Sequence, residues 1–221
     1  MAEIQQRLPE TRYVIRNFGV GGDLTYNALQ RLSAVIACQP HKIIVFVGGN
    51  DVLALVSRKA RRFFRIFKRL PCEPSPAWFQ KNLEMMVRRC KAEASAHIAL
   101  CSLPPIGEDP ASSNHFQSEL NRRVEEFSNV IRNIAFDEDV GYIPLYEAIL
   151  AQINESPRRP FIEFRFLPFY RDAFRTLVLR KMADEVAHMN GWRFHTDGVH
   201  LNSRSGFIVA DLVQTFIERT Q

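Results

Sequence analysis

The sequence predicts an α/β fold, a parallel sheet covered by helices on both faces. Three observations carry that expectation. Ile43-Ile-Val-Phe-Val47 is a continuous apolar run, the pattern of a strand buried on both faces, and Ile98-Ala-Leu-Cys-Ser102 is a second apolar strand. Segments of more than ten residues with helical apolar spacing alternate with them, as βαβ units require. The 221 residues are 46% hydrophobic and 24% charged, an ordinary globular composition that can bury one sizeable core. The expectation is a single domain over residues 1–221.

The elements follow in order. Tyr13-Val-Ile-Arg16 reads as a short strand that ends in the glycine-rich turn Asn17-Phe-Gly-Val-Gly-Gly-Asp-Leu-Thr25. A helix through about Ala37 follows, with Leu24, Ala28, Leu29, Leu32, Val35 and Ile36 at helical spacing. Pro40 and the Gly48-Gly49 pair bound the strand Ile43–Val47. A second amphipathic helix covers about Pro76 to Ala94, before the strand Ile98–Ser102 and its stop at Pro104-Pro105. Another helix runs from about Asn114 to Phe136, then the short strand Gly141–Leu145. Beyond Ile153 lies the aromatic stretch Phe161-Ile-Glu-Phe-Arg-Phe-Leu-Pro-Phe-Tyr170, leading into a helix that ends near Met189. His195–Asn202 is a loop, and Ser203 is the expected N-cap of the last helix.

Charge is concentrated. The formal net charge is +5, and residues 58–69 hold seven basic side chains (Arg58, Lys59, Arg61, Arg62, Arg65, Lys68 and Arg69) with no acid. The remainder carries 22 basic against 24 acidic side chains. That distribution argues against a body that wraps nucleic acid along one face. Read as a helix, 58–69 groups Val56, Ala60, Phe63, Phe67 and Leu70 on one face. Such an element packs on the domain, lies at an anionic membrane surface, gathers anionic substrates or docks on an acidic partner. The four cysteines (Cys38, Cys72, Cys90 and Cys101) have neither zinc-ligand spacing nor a disulfide pattern, and read as reduced, mostly buried thiols. With no signal-peptide pattern and no membrane-length apolar run, the expected location is cytoplasmic.

Three segments hold groups that catalysis uses, and each also reads as plain turn chemistry. Gly19-Val-Gly-Gly-Asp23 brings backbone N–H groups close to a ligand or simply turns the chain into a helix. In Gly48-Gly-Asn50-Asp51, the Asn50 amide is a donor for a developing oxyanion and Asp51 a cap for the next helix. In Asp197-Gly-Val-His200, the aspartate folds back across Gly198 to accept the imidazole Nδ1–H, making His200 a general base.

Taken together and in this order, the segments resemble the SGNH (GDSL-type) esterase and lipase family. The match runs from about Tyr13 to the C-terminus and is weakest over 155–190. The resemblance implies a three-layer α/β/α sandwich of flavodoxin-like type with a mostly parallel sheet. It implies hydrolysis of a carboxylic ester, with no metal or organic cofactor. Gly22 and Asn50 take the oxyanion-hole positions, His200 that of the base and Asp197 that of its orienting partner. Two insertions stand out, a basic one at about 54–75 and an aromatic one at 155–190. Phe166 and Phe169 in the second, and Asp51 beside Asn50, are candidates for substrate contact. They tilt the expected ester toward a lipid-like or anionic one.

One departure is serious. The family's nucleophile is the serine of a Gly-Asp-Ser turn after the first, central strand, and no Gly-Asp-Ser occurs here. Gly22-Asp23-Leu24 belongs to the oxyanion segment instead. Ser102 is expected to be a satisfied strand-end hydroxyl, and Thr25 a helix cap. The expectation is that the sequence starts late, at an internal Met, with the central strand and its serine upstream. The alternative is a serine-less binding protein in which Tyr13-Val-Ile-Arg16 closes against Ile43–Val47, or a docking protein that uses residues 58–69.

Overall fold

The structure, a computed structural model, describes Gln6, 13–155, Phe161, 171–172, 174–175 and 178–219. It is an α/β sandwich. In chain order the elements are α1 (Thr25–Gln30), α2 (Leu32–Ile36), β1 (Lys42–Val45), α3 (Gly49–Val56), α4 (Arg58–Phe67), α5 (Pro76–Glu93), β2 (His97–Cys101), α6 (His115–Asp137), β3 (Gly141–Ile143), α7 (Leu145–Asn154), α8 (Ala183–Asn190) and α9 (Ser203–Arg219). The strands form a parallel sheet in the order β1-β2-β3, with Lys42 opposite His97 and Cys101 opposite Ile143.

Local chemistry sets the helix starts. Ser75 accepts a hydrogen bond from the Trp78 N–H at 3.2 Å, and Pro76 opens the first turn of α5. Asn114 does the same for α6 through Gln117 N–H. Strand alternation then divides the core. Ile43, Val45, Ile98 and Leu100 face a large cluster with the apolar stripes of α5 and α6, where the Phe79 and Phe127 rings lie 4.2 Å apart. Ala99, Cys101 and Ile143 face the other way, against α7 and α9. Because all three strands are parallel, their carboxyl ends open onto one edge of the sandwich, where loops can build a site.

The structure corrects several sequence expectations. Tyr13–Arg16 is not a strand: no described strand pairs with it, and Tyr13 packs instead against the Ala210 and Ile217 cluster of α9. The version in which it closes against Ile43–Val47 is therefore not what is observed. β1 is buried on one face only. Ile44 and Phe46, on the other, are 37% and 47% exposed, because β1 is the outer strand of the described sheet and no described helix covers that corner. Helices α3 and α7 are additional. Apolar residues clustered too tightly in both to separate a helix from a buried strand by period. Of the expected face of α4, Val56, Ala60, Phe63 and Leu70 pack on the core; Phe67 is exposed, and Phe64 is buried in its place.

Candidate active site

The loop before α1 is built around Asp23. Its carboxylate pairs with the Arg31 guanidinium and with the Lys68 ammonium at 2.9 Å. Lys68 Nζ also donates to the Gly21 carbonyl at 2.6 Å. Gly22, between them, has φ of +77°, and a Cβ there would fall 2.9 Å from Lys68 Cε. Only glycine meets both conditions without strain. Asn50, in the first turn of α3 after β1, donates its side-chain amide to the Asp23 carbonyl at 2.8 Å. The sheet thus brings the two expected oxyanion donors, Gly22 and Asn50, side by side. Each amide nitrogen of an Asn carries two N–H groups, so one remains after the bond to Asp23.

Asp51 is corrected. It is buried, and its Oδ2 accepts from Thr25 N–H at 3.0 Å and Thr25 Oγ1 at 3.1 Å. It caps α1 rather than the helix that it opens, and its carboxylate is buried and committed to Thr25. Burial pushes its pKa up to about 7, against the lowering effect of the Thr25 bonds. Thr25 is accordingly the first residue of α1 with its hydroxyl committed. Ser102 is the satisfied strand-end hydroxyl expected: it donates to Ile143 O at 3.2 Å and accepts from Tyr146 N–H at 2.9 Å.

The second half of the site is the loop 193–202. His200 Nδ1 lies 2.7 Å from Asp197 Oδ2, while Asp197 Oδ1 accepts the N–H groups of Val199 and His200 at 2.9 and 2.8 Å. The imidazole Nδ1–H donates to the carboxylate, which leaves Nε2 as the basic ring nitrogen. The hydrogen bond to Asp197 raises the His200 pKa above the ordinary imidazole range, against a smaller opposing effect of burial. Burial pushes Asp197 up, but the bonds from His200 and the two amides outweigh it and hold the carboxyl below its usual value. The imidazole side chain is 70% exposed while Asp197 is 9% exposed, a reactive ring on a sheltered anchor. Gly198, at φ +94°, is required at the tip: a Cβ would lie 2.7 Å from both Phe161 and Trp192.

Glu108 was invisible to pattern reading, since Pro104-Pro-Ile-Gly-Glu108 looked only like a strand stop. It is buried and receives Arg193, Phe194 and His195 N–H groups. The Gly107 N–H donates to Gly198 O at 2.7 Å, so the Asp197–His200 loop docks on the loop that leaves the carboxyl end of β2. The cap of α9 is Asn202, whose side chain accepts from Ser205 N–H, rather than Ser203. Of the aromatic candidates, Phe161 is packed against this loop, while Phe166 and Phe169 lie outside the described residues. No group of three or more His, Cys, Asp or Glu among the described residues has metal-binding geometry.

Comparison with known proteins agrees with this fold. The model of the GDSL-like lipase/acylhydrolase family matches residues 2–163. Similar solved structures include the acetyl xylan esterase AlAXEase, at 20% identity and TM-score 0.65, covering 98% of this chain and 89% of that one. A catalytic mutant of Axe2, an acetylxylan esterase from Geobacillus stearothermophilus, matches at 15% identity and TM-score 0.65, covering 96% and 76%. LAE5, an alpha/beta hydrolase from the metagenome of Lake Arreo, Spain, matches at 15% identity and TM-score 0.64, covering 97% and 77%. The catalytic mutants of Axe2 replace a serine in one case and a histidine in another. No curated protein matches the sequence.

Proposed function

The chain belongs to the GDSL-like lipase/acylhydrolase family, and on that footing we propose that it is the body of a serine-type carboxylic ester hydrolase. The Asp197–His200 pair carries the reading: the 2.7 Å bond fixes the tautomer, and the turn that holds Asp197 fixes the ring. A serine hydroxyl attacks the acyl carbon and His200 Nε2 takes its proton. The imidazolium returns that proton to the departing alkoxide as the ester C–O bond breaks, and water then releases the acyl group by the same steps. The Gly22 N–H and the remaining Asn50 N–H bind the oxyanion in both tetrahedral states.

We assign the nucleophile to a Gly-Asp-Ser turn outside residues 1–221, on a strand that pairs with the outer edge of β1. The position of β1 at the end of the described strand order supports that assignment, as does the serine replaced in the catalytic mutant of Axe2. The test is the reading frame upstream of Met1, followed by p-nitrophenyl acetate and butyrate hydrolysis by the extended chain. A strand and Gly-Asp-Ser in frame, with activity lost at least about 1,000-fold in His200→Ala, supports the assignment. An in-frame stop codon close upstream, with an inert chain that still binds the ester, favours the serine-less binding protein.

A second reading concerns substrate and surface. Ile66 and Phe67 are 61% and 69% exposed beside Arg62, Arg65 and Arg69, the composition of an element that lies in an anionic lipid interface. Arg58, Arg61, Arg62 and Arg65 line a groove of about 520 Å³ over Ile66 and Leu70. Under this reading the ester is lipid-like or anionic and is met at a membrane surface. Co-sedimentation with phosphatidylcholine vesicles, with and without phosphatidylserine, tests it. Binding that needs phosphatidylserine and is lost when Arg58, Arg62 and Arg69 become Ser supports it, and equal binding of wild type and variant contradicts it.

A further inference from the structure

We propose that Glu108 and His195 form a buried clamp whose task is to set the position of the His200 ring, an inference that rests on the dyad reading above. Glu108 Oε1 accepts from Phe194 N–H at 2.6 Å, from His195 N–H at 3.1 Å and from the His195 ring at Nδ1 at 3.1 Å. Both carboxylate oxygens lie 3.0 Å from Arg193 N. The other ring nitrogen of His195 is 2.9 Å from the Pro105 carbonyl. His195 is fully buried and Glu108 nearly so.

The arrangement does more than fill space. Three consecutive backbone N–H groups of the catalytic loop converge on one carboxylate, a concentration of charge-assisted bonds that a neutral side chain cannot reproduce. Burial raises the Glu108 carboxyl, yet the His195 and backbone bonds outweigh it and hold the group below the usual carboxylate range, so the anion persists. The Pro105–Glu108 loop leaves β2 directly, and β2 is the middle strand of the described sheet. Through Glu108, His195 and the Gly107–Gly198 bond, the turn that carries Asp197 and His200 is therefore registered to the middle of the described sheet. His195 pairs with Leu201 in an antiparallel bridge, which closes the loop at its other end. A catalytic ring that is mostly exposed has few packing contacts of its own to hold it, and takes its position from such support. Glu108 and His195 touch no reacting atom in this account and are positioning residues.

The experiment reads His200 by imidazole NMR in the full chain, its signal assigned by comparison with His200→Ala, together with amide exchange at Val199 and His200. In the wild type, the Asp197-bonded Nδ1 proton is observed and the ring titrates above the ordinary imidazole value. In Glu108→Ala and in His195→Phe, the Nδ1 proton signal is lost, and the titration falls toward the ordinary imidazole value. The Val199 and His200 amides exchange at least about tenfold faster. Glu108→Gln keeps the Oε1 acceptor and restores part of each effect. Val87→Ala removes core volume in α5, an element that takes no part in the bonds of the clamp; it lowers Tm but leaves the His200 signal in place. If either clamp variant folds cooperatively and keeps the wild-type His200 titration and exchange, or if Val87→Ala shifts them equally, the clamp is wrong. A wild-type ring whose titration is the same with Asp197→Asn contradicts the dyad itself, a failure read in a different variant.

Discussion

The Lys68 ammonium donates to the Gly21 carbonyl at 2.6 Å, so the end of the basic segment is fastened to the turn that carries Gly22. One of the seven basic side chains is therefore part of the framework of the site, and Arg61 is another, bonded to the Ala54 and Leu55 carbonyls at the end of α3.

The first prediction concerns that fastening. Gly22→Ala forces a Cβ into a left-handed conformation and toward Lys68 Cε, at a cost of about 1–2 kcal/mol. Lys68→Ala alone costs about 1 kcal/mol, the value of a partly buried charged hydrogen bond. Since one clash is shared, the double variant loses less than the two added together, by about 0.5–1 kcal/mol. Urea unfolding of the four proteins measures this, and strict additivity contradicts the contact.

The second concerns Asp51. Its folded pKa of about 7 lies above the unfolded value of 3.8. The folded state therefore holds more protons than the unfolded one between those limits, and stability falls as pH rises through that window, by at most about 1.4 kcal/mol per unit. Asp51→Asn keeps an acceptor for Thr25 without the buried charge. It is expected to match the wild type near pH 4 and to exceed it in Tm at pH 8. A stability difference that does not change with pH contradicts the assignment.

The third concerns the dyad. His200 is raised, so its share of stability is complete below the ordinary imidazole value and is lost as pH rises through the folded one. Asp197 is lowered, so its share is present above the ordinary carboxylate value and is lost as pH falls through the folded one. The cost of Asp197→Asn to Tm is thus largest between about pH 4 and pH 6.5 and shrinks on either side. General-base activity runs the other way, rising with pH through the His200 titration, and Asp197→Asn moves that limb to lower pH while reducing its plateau. Thermal melts of residues 1–221 and pH–rate profiles of the extended chain proposed above check both limbs.

The legibility of this molecule from its sequence divides along physical lines. Long amphipathic helices with side-chain caps, such as Ser75–Glu93 and Asn114–Asp137, were readable because period and cap agree. The Asp197–His200 contact was readable because three residues and one glycine suffice to make it. Glu108 was not: its partners are 85 to 87 residues away in the chain, and nothing local marks a carboxylate that will be buried. Asp51 was misread for the same reason, its partner Thr25 coming from another element. Tyr13–Arg16 has strand composition, but pairing is a property of neighbours and no local pattern supplies one.

The fourth prediction follows from the open corner of the sheet. Ile44 and Phe46 occupy the uncovered face of β1, an apolar surface of the kind that binds dyes and promotes association. Ile44→Thr with Phe46→Thr is expected to lower anilinonaphthalene sulfonate fluorescence by at least about half while changing stability by about 1 kcal/mol or less. Unchanged fluorescence would place the accessible apolar surface elsewhere.

The proposed function turns on His200 serving a serine that we assign to a strand outside residues 1–221. Fluorophosphonate labelling read by mass spectrometry tests it most directly, because the reagent traps only a serine activated by its base and oxyanion hole. The account predicts one label per molecule of the extended chain, on the serine of Gly-Asp-Ser, abolished by His200→Ala, and none on residues 1–221 alone. A stoichiometric label on a serine within residues 1–221 that depends on His200 would contradict it.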